Sequence, residues 1–155
     1  MTSEPVTFSA IQFSAMSFLA MREHSAAELR QKLQKKFDVP DLIAAAVEDL
    51  TLRNLQSDER FTEAFIKMRI RQGKGPVRIL YELKEKGIEK NLAVSLTNPD
   101  DCAWIDLAKE VCERRYDRLD PLSQKERAKI IRFLHYRGFT STQIQQATSQ
   151  ARVFR

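Results

Sequence analysis

The residues that could do chemistry at neutral pH are two histidines, two cysteines, a short glycine-rich turn and two runs of cations. His24 and His135 stand apart, neither with a metal-spaced partner, and Cys102 and Cys112 lie ten residues apart rather than in a C-x-x-C pair. This spacing assembles no metal site, redox pair or nucleophile with its base. On one helix it also puts the cysteines on different faces, out of disulfide geometry, which points to a reducing compartment. Gly73-Lys74-Gly75-Pro76 opens a helix, where backbone N–H groups could hold a phosphate oxygen or a partner's carboxylate, with Lys74 and Arg78 adding charge. A nucleotide loop needs G-x-x-x-x-G-K-[ST], and no Ser or Thr follows here. A tight interhelix turn explains the same residues. No catalytic residue, metal or cofactor is expected.

The cations are the stronger signal. From Ala64 to Tyr81 stand Lys67, Arg69, Arg71, Lys74 and Arg78 without an acid, and after Glu126 come Arg127, Lys129, Arg132, Arg137, Arg152 and Arg155, again without one. Residues 57–97 hold nine cations against six carboxylates and 98–155 eleven against eight, whereas 1–56 hold six against seven. Such stretches attract nucleic-acid phosphate or an acidic protein surface through a screened, salt-dependent interaction that specifies no sequence. A solvated helix face is the plainer reading for any single residue. The candidate contact residues are Lys67, Arg69, Arg71, Lys74, Arg78, Lys129, Arg132 and Arg137. Arg69 abuts Met68 on an apolar stripe, so it has the further option of pairing within the core. Tyr81 and Tyr136 could stack on unpaired bases, although packing is the commoner role at helical spacing.

The elements that must position these residues follow from composition and punctuation. A chain of 155 residues with net charge +5 has room for one ordinary domain or a short array of smaller units. Hydrophobic residues at 43% suffice for a core, while 4 Gly and 5 Pro supply too few turns for a many-stranded β fold, which favours an all-α chain. Pro40, Pro76, Pro99 and Pro121 fall where an apolar pattern restarts, near helix starts. Ser25 with Glu28, Ser123 with Glu126, and Thr140 with Gln143 have capping-box spacing, and Gly87 and Gly138 follow basic helical runs where a helix would end. Nine helices are predicted, at 9–22, 25–37, 40–53, 58–72, 76–86, 89–97, 101–116, 123–137 and 141–149.

Apolar stripes run through Ile43, Val47 and Leu50, through Phe61, Phe65 and Met68, and through Trp104, Leu107 or Ala108, and Val111. Leu29 and Leu33 recur 50 residues later as Ile79 and Leu83, and 51 residues after that as Ile130 and Leu134. This predicts three tandem three-helix repeats at 1–56, 57–98 and 99–155, stacked in an elongated or curved array because each is too short to bury its stripe alone. Arrays of this kind mostly bind macromolecules. The opening Met1-Thr2-Ser3-Glu4 lacks a basic signal region, and polar residues interrupt the uncharged stretch that follows, so a cytoplasmic protein is expected. Monomer is the default, since capped polar ends need no partner.

Arg22-Glu23-His24-Ser25-Ala26-Ala27-Glu28-Leu29-Arg30-Gln31-Lys32-Leu33 resembles the opening R-x-H-S-x-x-E-L-x-x-K-L segment of the RecX family, regulatory proteins of the RecA recombinase. The run Phe61-x-x-x-Phe65-Ile66-x-x-Arg69-x-x-x-Gly73-x-Gly75-Pro76-x-Arg78-Ile79-x-x-Glu82-Leu83-x-x-Lys86-Gly87-Ile88 is similar to that family's central segment, and Arg132-Phe133-Leu134-x-Tyr136-Arg137-Gly138-Phe139 to its C-terminal one. Together they span residues 22–139 in the right order. Two departures stand out. Asn54-Leu55 replaces the family's common Gly-Tyr or Gly-Phe, and Asn tolerates the left-handed turn. Phe37 stands where the other repeats place Gly87 and Gly138, so the second helix of the first repeat should end differently.

The resemblance implies tandem three-helix repeats and a non-enzymatic modulator, typically an inhibitor. Its partner would be the RecA filament on single-stranded DNA, with effects on ATPase, strand exchange and co-protease activity, and hence on recombinational repair and the SOS response. The rival reading is a stand-alone DNA-binding protein, kept open by Thr142-Gln143-x-Gln145-Gln146 as a possible reading edge.

Overall fold

The computed structural model describes residues 5–116 and 123–151, so Pro121, Arg152, Arg155 and the opening four residues lie outside the described part. Among the described residues the regular structure is all helical: α1 (Phe8–Met21), α2 (Ala26–Lys36), α3 (Pro40–Leu52), α4 (Asp58–Arg71), α5 (Pro76–Glu85), α6 (Lys90–Thr97), α7 (Ala103–Arg115), α8 (Gln124–Arg137) and α9 (Ser141–Gln150). Every boundary falls within two residues of the one predicted from punctuation. Pro40 and Pro76 are first helical residues, where the missing N–H is harmless; Pro99 instead sits in the turn between α6 and α7. No described helix is long and apolar enough to cross a membrane.

The chain packs into two compact units. One holds the chain up to Ala64 together with Leu83–Leu92; the other holds Phe65–Glu82 and the chain from Ala93 onward. In the first unit, Ile11 and Ala15 of α1, Leu29 and Leu33 of α2, and Ile43, Ala46, Val47 and Leu50 of α3 are 0–1% exposed and form one core, with Phe18, Phe37 and Leu42 packed on its edge. Their i, i+3, i+4 spacing turns a single stripe of each helix inward. Phe37 ends α2 in an extended conformation (φ −127°), as its departure from glycine implied, and Asn54 takes the left-handed turn at φ 59°.

The opening segment does more in this unit than cap a helix. Ser25 Oγ accepts from Glu28 N (3.1 Å) and donates to the Lys86 carbonyl (2.7 Å). The capping box is half formed, because Glu28 is drawn away to Arg22 (2.8 Å) and Lys86 (3.0 Å). Gln56 joins the cluster by donating to the His24 carbonyl (3.1 Å) and to Asp58 (2.9 Å). A complete capping box forms at Thr140 and Gln143, while Ser123 accepts from Glu126 N.

In the second unit α7 packs chiefly on α9, with α8 beside both. Trp104, Ala108, Cys112, Ile130, Leu134, Phe139, Ile144 and Ala147 are buried, and the Trp104 indole donates to the carbonyls of Thr97 and Asn98. All six recurring positions, from Leu29 to Leu134, are 0–1% exposed. A two-bond backbone clasp ties the start of α5 to the end of α8: Gly75 N donates to the Arg137 carbonyl (2.7 Å) and Val77 N to the Gly138 carbonyl (2.9 Å). The backbones approach so closely that a Cβ on Gly75 would lie 2.5 Å from the Gly138 carbonyl carbon. The Gly73–Pro76 segment is thus the tight interhelix turn, and this clasp fixes where Arg137 projects.

Candidate functional site

The groups that carry bond-making chemistry elsewhere are given structural work here. His24 is 1% exposed; its Nδ1 lies 3.0 Å from the Arg22 carbonyl and its Nε2 2.8 Å from Lys32 Nζ, which fits a neutral ring donating from Nδ1 and accepting at Nε2. Burial pulls its pKa below the usual value, and the Arg22 and Lys32 charges add to that. Burial also pushes the Cys112 thiol up to about 11, so it stays protonated and inert. Cys102 stands exposed at the residue before α7, where its side chain makes no capping bond, and neither cysteine is in a disulfide. Among the described residues no group of three or more His, Cys, Asp or Glu could hold a metal ion.

All eight candidate cations lie in the second unit. Four of them cluster. Arg69 Nε donates to Glu82 Oε2 (2.6 Å) and Arg78 Nε to Glu82 Oε1 (3.2 Å), so one carboxylate holds two guanidinium groups. Arg69 also lies over the Phe65 ring (4.7 Å) and bonds Gln72, which realises the pairing that its position beside Met68 allowed. Lys74 sits beside them: burial, then the charges of Arg78, Arg137 and Arg69, hold its pKa below the usual lysine range against the opposing pull of Glu82. Arg137 donates to the Gln72 carbonyl (2.7 Å) and stacks over Phe133 (5.0 Å). Four cations against one carboxylate leave a strong positive field, partly fixed in place.

Arg71 belongs to an adjoining pocket of about 230 Å³, walled by Arg71, Arg114, Arg115 and Arg137 with Phe133 and Val111. Sequence reasoning missed Arg114 and Arg115, because Asp106, Glu110 and Glu113 on the same helix cancel their charge in any count along the chain. Their signal was position, as both fall in the last turn of α7. Arg115 lies over Phe133 (5.4 Å), and Arg114 pairs with Glu110. Lys67, Lys129 and Arg132 are exposed on α4 and α8 and make no ion pair among the described residues, but no contact joins them to the cluster.

Tyr136 is 75% and Tyr81 64% exposed, so neither is the packing residue that helical spacing suggested; Arg78 lies over the Tyr136 ring (5.5 Å). Gln143 is withdrawn from the possible reading edge, since it is buried, completes the Thr140 cap and donates to the Pro99 carbonyl (2.8 Å).

Three family models match this chain, described as the first (residues 14–50), second (57–94) and third (105–148) three-helix domains of RecX. A protein of Pseudomonas fluorescens named Regulatory protein RecX is 35% identical over 149 residues, covering 96% of each chain. One of the same name from Legionella pneumophila is 43% identical over 127 residues, covering 81% of this chain and 84% of its own. The crystal structure of RecX from Lactobacillus salivarius superposes with a TM-score of 0.80 at 21% identity, covering 92% of this chain and 95% of that one, which speaks to the fold.

Proposed function

This chain belongs to the RecX family, and on that premise we propose that it is a non-enzymatic modulator, typically an inhibitor, of the RecA recombinase. It acts by binding RecA filaments on single-stranded DNA, which suppresses ATPase, strand exchange and co-protease activity and so bears on recombinational repair and the SOS response. The observation that carries the reading is the family match in all three three-helix segments; the concentration of candidate cations in one unit supports it. The basic residues would face acidic recombinase surface or exposed phosphate in the filament groove. Each exposed pair contributes only about 0.2–1 kcal/mol, so useful affinity requires contact with more than one filament subunit at once. The protein works as a monomer in the cytoplasm in this account.

Reversing Arg71, Lys74 and Arg132 together to Glu is expected to weaken filament binding by about 10–100-fold at low salt. It should also flatten the dependence of affinity on salt. Helicity should stay unchanged, since Arg71 and Arg132 are exposed and no ion pair is lost. Fluorescence anisotropy of labelled filaments at several salt concentrations reads both quantities. Unchanged affinity and slope in the folded variant would show that this face does not meet the filament.

A further inference from the structure

We propose that the arginine-walled pocket of the second unit binds a phosphate dianion, the kind of group carried at a nucleotide's terminus or a nucleic-acid strand end. Charge accounting points there. Arg71, Arg115 and Arg137 end α4, α7 and α8, and Arg114 precedes Arg115. Cations at helix C-termini have an ordinary reason, as each end carries roughly half a negative charge. Three ends and the carboxylate of Glu110 on Arg114 together offset about two and a half of the four positive charges. No carboxylate lines the pocket itself among the described residues. Among the described residues a positive surplus therefore remains, which favours a doubly charged phosphomonoester over a singly charged backbone phosphodiester.

The walls are also held ready. Arg137 is fixed by the Gln72 carbonyl, and both Arg115 and Arg137 lie over the Phe133 ring, which limits the side-chain freedom lost on binding. Planar guanidinium groups suit paired phosphate oxygens. Arg71 and Arg137 also belong to the proposed filament face, but anion capture by the isolated chain does not depend on that reading.

The test uses the full chain alone, at constant ionic strength, titrated calorimetrically with adenosine 5′-monophosphate and with adenosine. Saturable one-to-one binding of the monophosphate and none of adenosine are expected. The double variant Arg71→Gln, Arg115→Gln should weaken binding about tenfold or more. The double variant Lys67→Gln, Lys129→Gln, which removes equal charge outside the pocket, should change it less than about twofold. Equal weakening by both pairs, or no saturable binding, would overturn the proposal. Circular dichroism confirms that each variant is folded. A second arm compares oligothymidylate with and without a 5′-phosphate: preference for the phosphorylated strand assigns the site to a strand end, and equal binding alongside monophosphate capture assigns it to a free nucleotide.

Discussion

Gly138→Ala is expected to destabilise the second unit by about 3–5 kcal/mol, enough to lower its unfolding midpoint sharply. Two costs add at this position. The residue has φ +100°, outside the range that L side chains adopt comfortably, and a Cβ there would lie 2.4 Å from the Arg78 Cβ and 2.7 Å from its backbone N. Backbone cannot swing aside as a side-chain tip can. Asn, which tolerates left-handed conformations, should therefore fail to rescue the site, because the collision remains. The clasp would open, and with it the placement of Arg137 beside Gln72. Urea unfolding followed by circular dichroism checks the magnitude; a loss below about 1 kcal/mol would mean that the close approach is not what holds this corner.

The second large effect is acid sensitivity in the first unit. Burial raises the pKa of Glu28, but the hydrogen bonds and charges of Arg22 and Lys86 outweigh it and leave the carboxyl at about 2. The unfolded chain takes up that proton below about pH 4.5 and the folded chain does not, so stability is present above pH 4.5 and is lost as pH falls toward 2. His24 acts in the same direction at higher pH: its folded pKa lies below the usual 6.5, so stability begins to decline as pH falls through 6.5. Protonation would place an N–H on Nε2 facing Lys32 Nζ. Glu28→Gln is expected to cost about 2–3 kcal/mol at pH 7 and to flatten the limb below pH 4.5. Arg22 and Lys86 remain 48% and 40% solvent-exposed in their side chains, which keeps the figure below that of a fully buried pair. Urea midpoints across a pH series read both limbs, and a profile flat from pH 7 to pH 3 would contradict the assignment.

Legibility in the sequence followed the range of the interaction. Helix ends were readable because capping residues, prolines and glycines act over a few positions, and the recurring pairs were readable because a buried stripe repeats every turn. Asn54 and Phe37 were read by comparing them with the family pattern and with the other repeats, combined with local backbone chemistry, and Asn54 takes φ 59° while Phe37 ends α2 extended. What escaped was pairing across distance. Glu28 has capping-box spacing, yet Lys86, 58 residues on, takes its side chain. Glu82 stands one residue beyond the acid-free run and neutralises part of both Arg69 and Arg78, which no count ending at Tyr81 could register. Arg114 and Arg115 were hidden by Asp106, Glu110 and Glu113 on the same helix, of which Glu110 pairs with Arg114. Gly75 carries no unusual φ, and its role comes from the Gly138 backbone opposite, 63 residues away.

The most direct test of the regulatory reading is DNA-stimulated ATP hydrolysis by RecA on single-stranded DNA, titrated with this protein while DNA is kept in excess. A rate that falls at protein concentrations well below that of the recombinase is the predicted result, since competition for DNA is then excluded and one bound molecule must act on several subunits. An unchanged rate, alongside tight binding of this protein to bare DNA, would contradict the account and leave family membership as a statement about fold.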